Sequence, residues 1–206
     1  MGFFYFCTMI TETLSLIDPK LEVSELLENQ QYGFKIKWVH LPALKCQLLF
    51  TEGLSNNVQK VKAGFEDFNK IELYFCLPEF WNLRVDKWPI HWIERLACIP
   101  QKNNTWYGPG DTIPAGNPPE NLSERLKANH FMLVEPITLG PLFDDPNRSD
   151  LNIKFLGIVP ITEEELDYKI RNSATVLTLK MIDANFTEKV DMFRKTVCRK
   201  RFFGLF

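Results

Sequence analysis

The sequence predicts an α+β domain. Three observations carry that reading. Two segments of alternating apolarity follow one another, a proline-led amphipathic helix comes next, and a late apolar strand runs into a well-capped helix. The 206 residues fit one large domain, and 45 % hydrophobic with 24 % charged residues is ordinary globular composition.

At the amino end, Met1–Ile10 is apolar but has no basic leader, and it soon meets Glu12 and Asp18. It is too short to span a bilayer and reads as a first strand or a packed arm. Residues 19–29, with Leu21, Leu26 and Leu27 among Glu and Ser, predict a helix. Residues 43–51 alternate, with Leu44, Cys46, Leu48 and Phe50 on one side and Lys45, Gln47 and Thr51 on the other, as a half-buried strand does. Gly53 and Ser55-Asn56-Asn57 form a turn. Residues 70–77 repeat the alternation through Ile71, Leu73, Phe75 and Leu77, so the two strands can pair.

A helix is expected from Pro89 to about Cys98, because proline is tolerated at the first helical position. Its buried stripe is Trp88, Trp92, Ile93 and Leu96, and Pro100 is expected to end it. Residues 101–121 form a long loop rich in Asn, Gly and Pro, with Trp106, Tyr107 and Ile113 to pin it to the body. Phe131–Val134 and Ile153–Val159 are strands, the second apolar on both faces and therefore central. Between them, residues 136–151 read as another loop. Thr162-Glu163-Glu164-Glu165 is a capping box opening a helix that carries Leu166 and Ile170. Asn172-Ser173 breaks it and caps a second helix bearing Ala174, Leu177 and Met181.

The chemistry-bearing residues are sparse. A net charge of −2 offers no field toward nucleic acid or anionic lipid. Five scattered cysteines without a C-x-x-C read as reduced thiols of a cytoplasmic protein. His40, His91 and His130 lack metal-ligand spacing, so no metal and no cofactor is expected. Gly53-Leu54-Ser55 is a turn and lacks the pattern of a nucleophile elbow. Gly108-Pro109-Gly110-Asp111 has the glycines of a phosphate loop without its Lys-Ser/Thr pair, and the glycines suit positive φ beside Trp106. Asp111 either bonds the amides of its own turn or offers a carboxylate to a partner. The Glu163–Glu165 run reads as a solvated helix start. From Arg194 to Phe206, cations mix with phenylalanines; such a tail packs its rings and leaves its charges wet, or makes weak surface contact with a membrane.

The order of features adds a resemblance. Phe50-Thr51-Glu52-Gly53-Leu54-Ser55, Ile71-Glu72-Leu73-Tyr74-Phe75, Trp88-Pro89 with Leu96-Ala97, Trp106 through Ile113, and Phe155 through Leu166 together resemble the suppressor-of-fused domain family. The resemblance covers roughly residues 40–182. It leaves 1–39 as an amino-terminal extension packed on the domain and 183–206 as a basic, aromatic tail.

The resemblance implies a mixed β-sheet flanked by helices and no known catalysis. Animal members hold a transcription-factor segment as an added strand. Bacterial single-domain members, which this chain is similar to, have been proposed as immunity proteins that neutralise a toxin. The Gly-Asp loop that animal members use for partner contact corresponds to Asp111. Where they carry a tyrosine after Leu-Ala, this chain has Ile99. The expectation is a non-enzymatic, cytoplasmic protein-binding module whose partner is another protein, a toxin or a regulatory factor, with no nucleic acid. Trp106, Tyr107, Asp111 and Ile99 would touch the partner, while Gly53, Ser55, Trp88, Pro89, Gly108 and Gly110 would build the frame. A hydrolase using Asp111 with Glu or His residues is the rival class.

Overall fold

The computed structural model describes residues 14, 20–143 and 152–198. Its centre is a seven-stranded sheet in the spatial order β1-β2-β3-β4-β7-β6-β5. The strands are β1 (Val23–Asn29), β2 (Phe34–Leu41), β3 (Cys46–Glu52), β4 (Ile71–Pro78), β5 (Thr112–Pro114), β6 (His130–Val134) and β7 (Lys154–Ile161). Neighbours run antiparallel except β4 and β7, whose parallel pairing makes the sheet mixed. The expected pairing of the two alternating segments is present as β3 and β4, and β7 sits centrally as its two apolar faces require.

Both faces are covered. Helix α1 (Trp88–Asn103) lays Ile93, Leu96 and Ala97 on Leu49, Leu73, Phe75, Phe131, Leu133 and Ile158. A short helix α2 (Gly140–Phe143) follows β6. Helices α3 (Glu163–Arg171) and α4 (Ala174–Asp183) close the other face, where Leu177 and Met181 meet Met132, Val134, Val159 and Ile161. Val39, Leu48, Phe50, Tyr74 and Cys76 form a further core on that side. The alternation of β3 and β4 therefore divides two buried faces; every residue of both strands is buried, so the half-buried expectation is corrected. Gln47 bears this out: its amide accepts from Trp38 Nε1 and donates to the carbonyls of Glu79 and Trp81.

Other expectations change as well, among them the loop read over 136–151, which holds α2. The helix expected over 19–29 is strand β1, paired with β2 through Val23↔Val39 to Asn29↔Phe34, with a bulge between Glu25 and Leu27. The bulge places Leu26 and Leu27 side by side, which hides the period of two, and sheet pairing overrides the helical propensity of Leu and Glu. The expected strand over 43–51 starts only at Cys46; Leu44 lies exposed in a 3-10 turn over Pro42–Leu44. Helix α1 runs through Pro100 and ends at Asn104, whose φ of 49° is left-handed. On α3, Ile170 faces solvent at 70 % exposure.

The capping box is present in full, with Glu165 N–H on Thr162 Oγ1 and Thr162 N–H on Glu165 Oε2. Glu165 is nevertheless fully buried, because Arg194 grips it: Nη1 and Nη2 donate to its two oxygens, and Nη2 also reaches the Pro160 carbonyl. At the start of the tail the Arg194 charge is therefore buried where a wet one was expected, while Lys195 is exposed. The rest of the tail, from Arg199, lies outside the described residues, as does Met1–Ile10. Among the described residues, no helix is long and apolar enough to cross a membrane.

Candidate functional site

The sheet has two outer strands. β1 is broken by its bulge and carries Glu25 and Glu28, devices that discourage strand addition. β5 is short and pairs only with β6 among the described residues. Its register is set by Leu133 N–H on Asp111 C=O and Ala115 N–H on Asn129 C=O. Odd positions thus bond β6, while Thr112 and Pro114 turn their main-chain groups outward. Among the described residues, Thr112 N–H, Thr112 C=O and Pro114 C=O find no main-chain partner on this outer edge.

The loop leading into this edge is held rigid from three directions. Gln59 clamps Tyr107, accepting its N–H at 2.8 Å and donating to its carbonyl at 3.1 Å. Gly110 N–H donates to Leu133 C=O at 2.7 Å. Asp111 closes the turn on itself: its carboxylate accepts Gly108 N–H at 2.8 Å, and its own N–H donates to Gly108 C=O at 3.2 Å. The glycines split the two tasks expected of them. Gly110 adopts φ +88° and leaves room for Ala174, whose Cβ lies 2.6 Å from where a side chain would begin. Gly108 is needed for close approach, since a Cβ there would sit 2.6 Å from the Trp106 ring.

Trp106 is half-buried between Gly108 and Phe65, the ring centroids 5.1 Å apart. Tyr107 is buried and its hydroxyl has no hydrogen-bond partner among the described residues; burial and then the Asp111 charge push its phenol well above the usual tyrosine range. Ile99, half-buried on α1, packs against the α1-side core. Trp106, Tyr107, Gly108, Gly110 and Asp111 therefore form one preordered unit beside β5. Beside it, Leu54–Lys60 and the end of α1 enclose a groove of about 530 Å³.

Gly53 and Ser55 belong to a different constellation. The buried Glu72 carboxylate accepts from Thr51 Oγ1, Gly53 N–H, Ser55 N–H and Ser55 Oγ at 2.6–3.0 Å. Burial outweighs these donors and pushes the carboxyl up to about 7. Trp88 opens α1 edge-on to Phe75 and Trp81, at 5.5 and 5.6 Å, with Pro89 buried behind it. Sequence reasoning missed Gln59, Thr112 and Lys169 as site residues. Lys169 Nζ donates to Thr112 Oγ1 at 3.2 Å. Gln59 and Lys169 stand in no motif, and Thr112 sits in the Trp106–Ile113 stretch with nothing to mark it as a strand edge, so the signal exists only in three dimensions.

The histidines stay apart. His40 faces Glu79, His91 is exposed and His130 bonds Asn129. Among the described residues, no three His, Cys, Asp or Glu side chains gather to hold a metal, and no His or Glu hydrogen-bonds Asp111.

Known proteins resemble this arrangement. The profile of the Suppressor of fused protein (SUFU) family matches residues 35–195. A suppressor-of-fused homologue from Neisseria gonorrhoeae FA 1090 shares the fold at TM-score 0.67 and 14 % identity, over 95 % of this chain and 98 % of that one. A structure of the Sufu–Fu complex matches at TM-score 0.63 and 16 % identity, covering 93 % and 92 %. Drosophila Suppressor of Fused matches at TM-score 0.55 and 12 % identity over 91 % of this chain, which spans 50 % of that one. No curated protein matches the sequence significantly. With the family profile spanning β2 through the Glu165–Arg194 clamp, this chain belongs to the suppressor-of-fused family.

Proposed function

We propose that the chain is a non-enzymatic protein-binding module of the cytoplasm that captures an extended segment of another protein along the outer side of β5. The carrying observation is the juxtaposition of an open edge, Thr112–Pro114, with the rigid Trp106–Asp111 loop. Strand addition supplies main-chain hydrogen bonds, and nearby side chains supply selectivity. Half-buried Trp106 gives the loop an aromatic anchor, the buried Tyr107 supports it from below, Ile99 contributes from α1, and the turn that Asp111 closes holds its carboxylate beside the edge. The fold shared with the Neisseria homologue, a bacterial protein, favours an immunity-type role, in which the module neutralises a toxin by covering it. That one relative was solved as the Sufu–Fu complex supports a protein partner.

The test is capture from the native host, with bound proteins identified by mass spectrometry. Thr112→Pro deletes the outward N–H while sparing the bonds to β6. Asp111→Asn keeps an oxygen for Gly108 N–H but removes the charge. The partner should be lost with the first and weakened roughly tenfold with the second, the charged contact being worth about 1.5 kcal/mol. Melting temperatures should stay within about 2 °C of wild type. Unchanged capture by both variants sinks the edge assignment. A DNA-binding regulator in place of a toxin moves the same edge to a transcriptional role.

A further inference from the structure

Resting on the β5-edge reading, we infer that Lys169 selects partner segments that place an acidic side chain opposite Thr112. The argument begins with strand parity. Thr112 turns its N–H and C=O outward, so a residue added directly opposite exchanges hydrogen bonds with it and shows its side chain on the same face. Cross-strand neighbours of that kind hold their Cβ atoms about 5 Å apart.

The face concerned is the one covered by α3 and α4, because Thr112 pairs with Met132, which packs against Leu177 and Met181. There the last turn of α3 extends Lys169 to the outermost strand, its Nζ 3.2 Å from Thr112 Oγ1. The ammonium has three donors, of which the Thr112 hydroxyl takes one. Half-buried, it forms no ion pair with a carboxylate among the described residues. Two acids of its own helix are otherwise engaged: Glu165 is held by Arg194, and Glu163 lies against His130 and Asn129. A partly desolvated cation at an unpaired strand edge thus faces the space that the opposite residue of an incoming segment enters. Glutamate or aspartate there gains a charge-assisted bond that glutamine lacks. The competing role is a guard, since lysine at a sheet edge discourages self-association.

The experiment uses the full chain and fluorescein-labelled nine-residue strand-forming peptides, identical except for Glu, Gln or Lys at each of the three central positions in turn, read by fluorescence anisotropy. The best Glu peptide should bind roughly threefold to fivefold tighter than its Gln counterpart, as an opposite-charge cross-strand pair does, and the Lys peptide weaker still. Lys169→Met should erase the preference and Lys169→Glu should invert it. Thr112→Pro, checked for native circular dichroism, should abolish binding of every peptide. Peptides that bind, need the Thr112 N–H and ignore charge overturn the Lys169 assignment alone. A Glu preference that survives Lys169→Met does the same, as does dimerisation of Lys169→Met without any charge preference. No binding of any peptide, or binding that survives Thr112→Pro, overturns the edge reading beneath it.

Discussion

Removing Arg194 should unravel the attachment of residues 190–198 to the domain. This segment is structural on both sides of the sheet: Val190 and Met192 enter the α1-side core, and Cys198 enters the cluster under α4. Its clamp is the bidentate pair of Arg194 with Glu165, whose side chains are 6 % and 0 % exposed. Arg194→Met preserves most of the stem's volume but leaves the Glu165 charge in the interior with only Thr162 N–H and Val197 N–H as donors. Losing one partner of a buried pair costs about 3–5 kcal/mol. For a chain of this size that corresponds to a melting-temperature drop on the order of 10 °C. Differential scanning calorimetry reads it directly. The partner change is the sharper test. Glu165→Gln combined with Arg194→Met removes the stranded charge and should recover more than half of the loss, because most of the penalty is desolvation of an unpaired ion. A shift below about 2 °C for Arg194→Met, or a double variant no better than the single one, refutes the clamp.

Two further outcomes follow from the packing. Glu72 has a folded-state carboxyl raised to about 7 from the ordinary glutamate value of 4.5, so the folded protein binds the extra proton between those values. Its contribution is fully present below about pH 4.5 and is lost as pH rises to about 7, a swing on the order of 3 kcal/mol. Glu72→Gln should flatten that part of the urea-midpoint profile, since Thr51 Oγ1 can turn to Leu73 C=O, 3.4 Å away; an unchanged profile contradicts the assignment. Gly110→Ala adds a Cβ at φ +88°, 2.6 Å from the Ala174 Cβ, and should cost about 2–4 kcal/mol in denaturation. A neutral Gly110→Ala would show that the loop and α4 are not in contact.

Legibility tracked how local the cause was. The capping box at Thr162, the Asn172-Ser173 break, the central β7 and the β3–β4 pair are set by neighbours in sequence, and all were readable. β1 was not, because a bulge removed its period and only pairing with β2 makes it a strand. β2 went unread as well: Phe34 and Ile36 alternate with Lys35 and Lys37, but its place between β1 and β3 is a matter of sheet order. The Trp106–Asp111 loop stood out through its glycines and tryptophan. The strand edge it abuts did not, because β5 has three residues and no pattern of its own. Lys169 acquires meaning only from Thr112, 57 positions away.

The acids of this chain show why its sequence gave no catalytic signature while the fold still contains buried carboxylates. Glu72 holds the Gly53–Ser55 turn. Glu188 accepts from the N–H groups of Ile137, Thr138 and Leu139, beyond the point where β6 has finished pairing with β7. Glu165 gathers Thr162, Arg194 and Val197. In each case a carboxylate supplies acceptors to main-chain donors that the sheet and helices leave unpaired, which is the cheapest way to bury an irregular segment. An oxygen so engaged has little freedom to take a proton from a substrate. Asp111 follows the same rule toward Gly108, but it does so at the rim of an outer strand, beside outward main-chain groups and an ammonium that has no counter-charge among the described residues. Thr112 N–H and C=O there find no main-chain partner among the described residues, and that is the capacity the proposed strand addition would use.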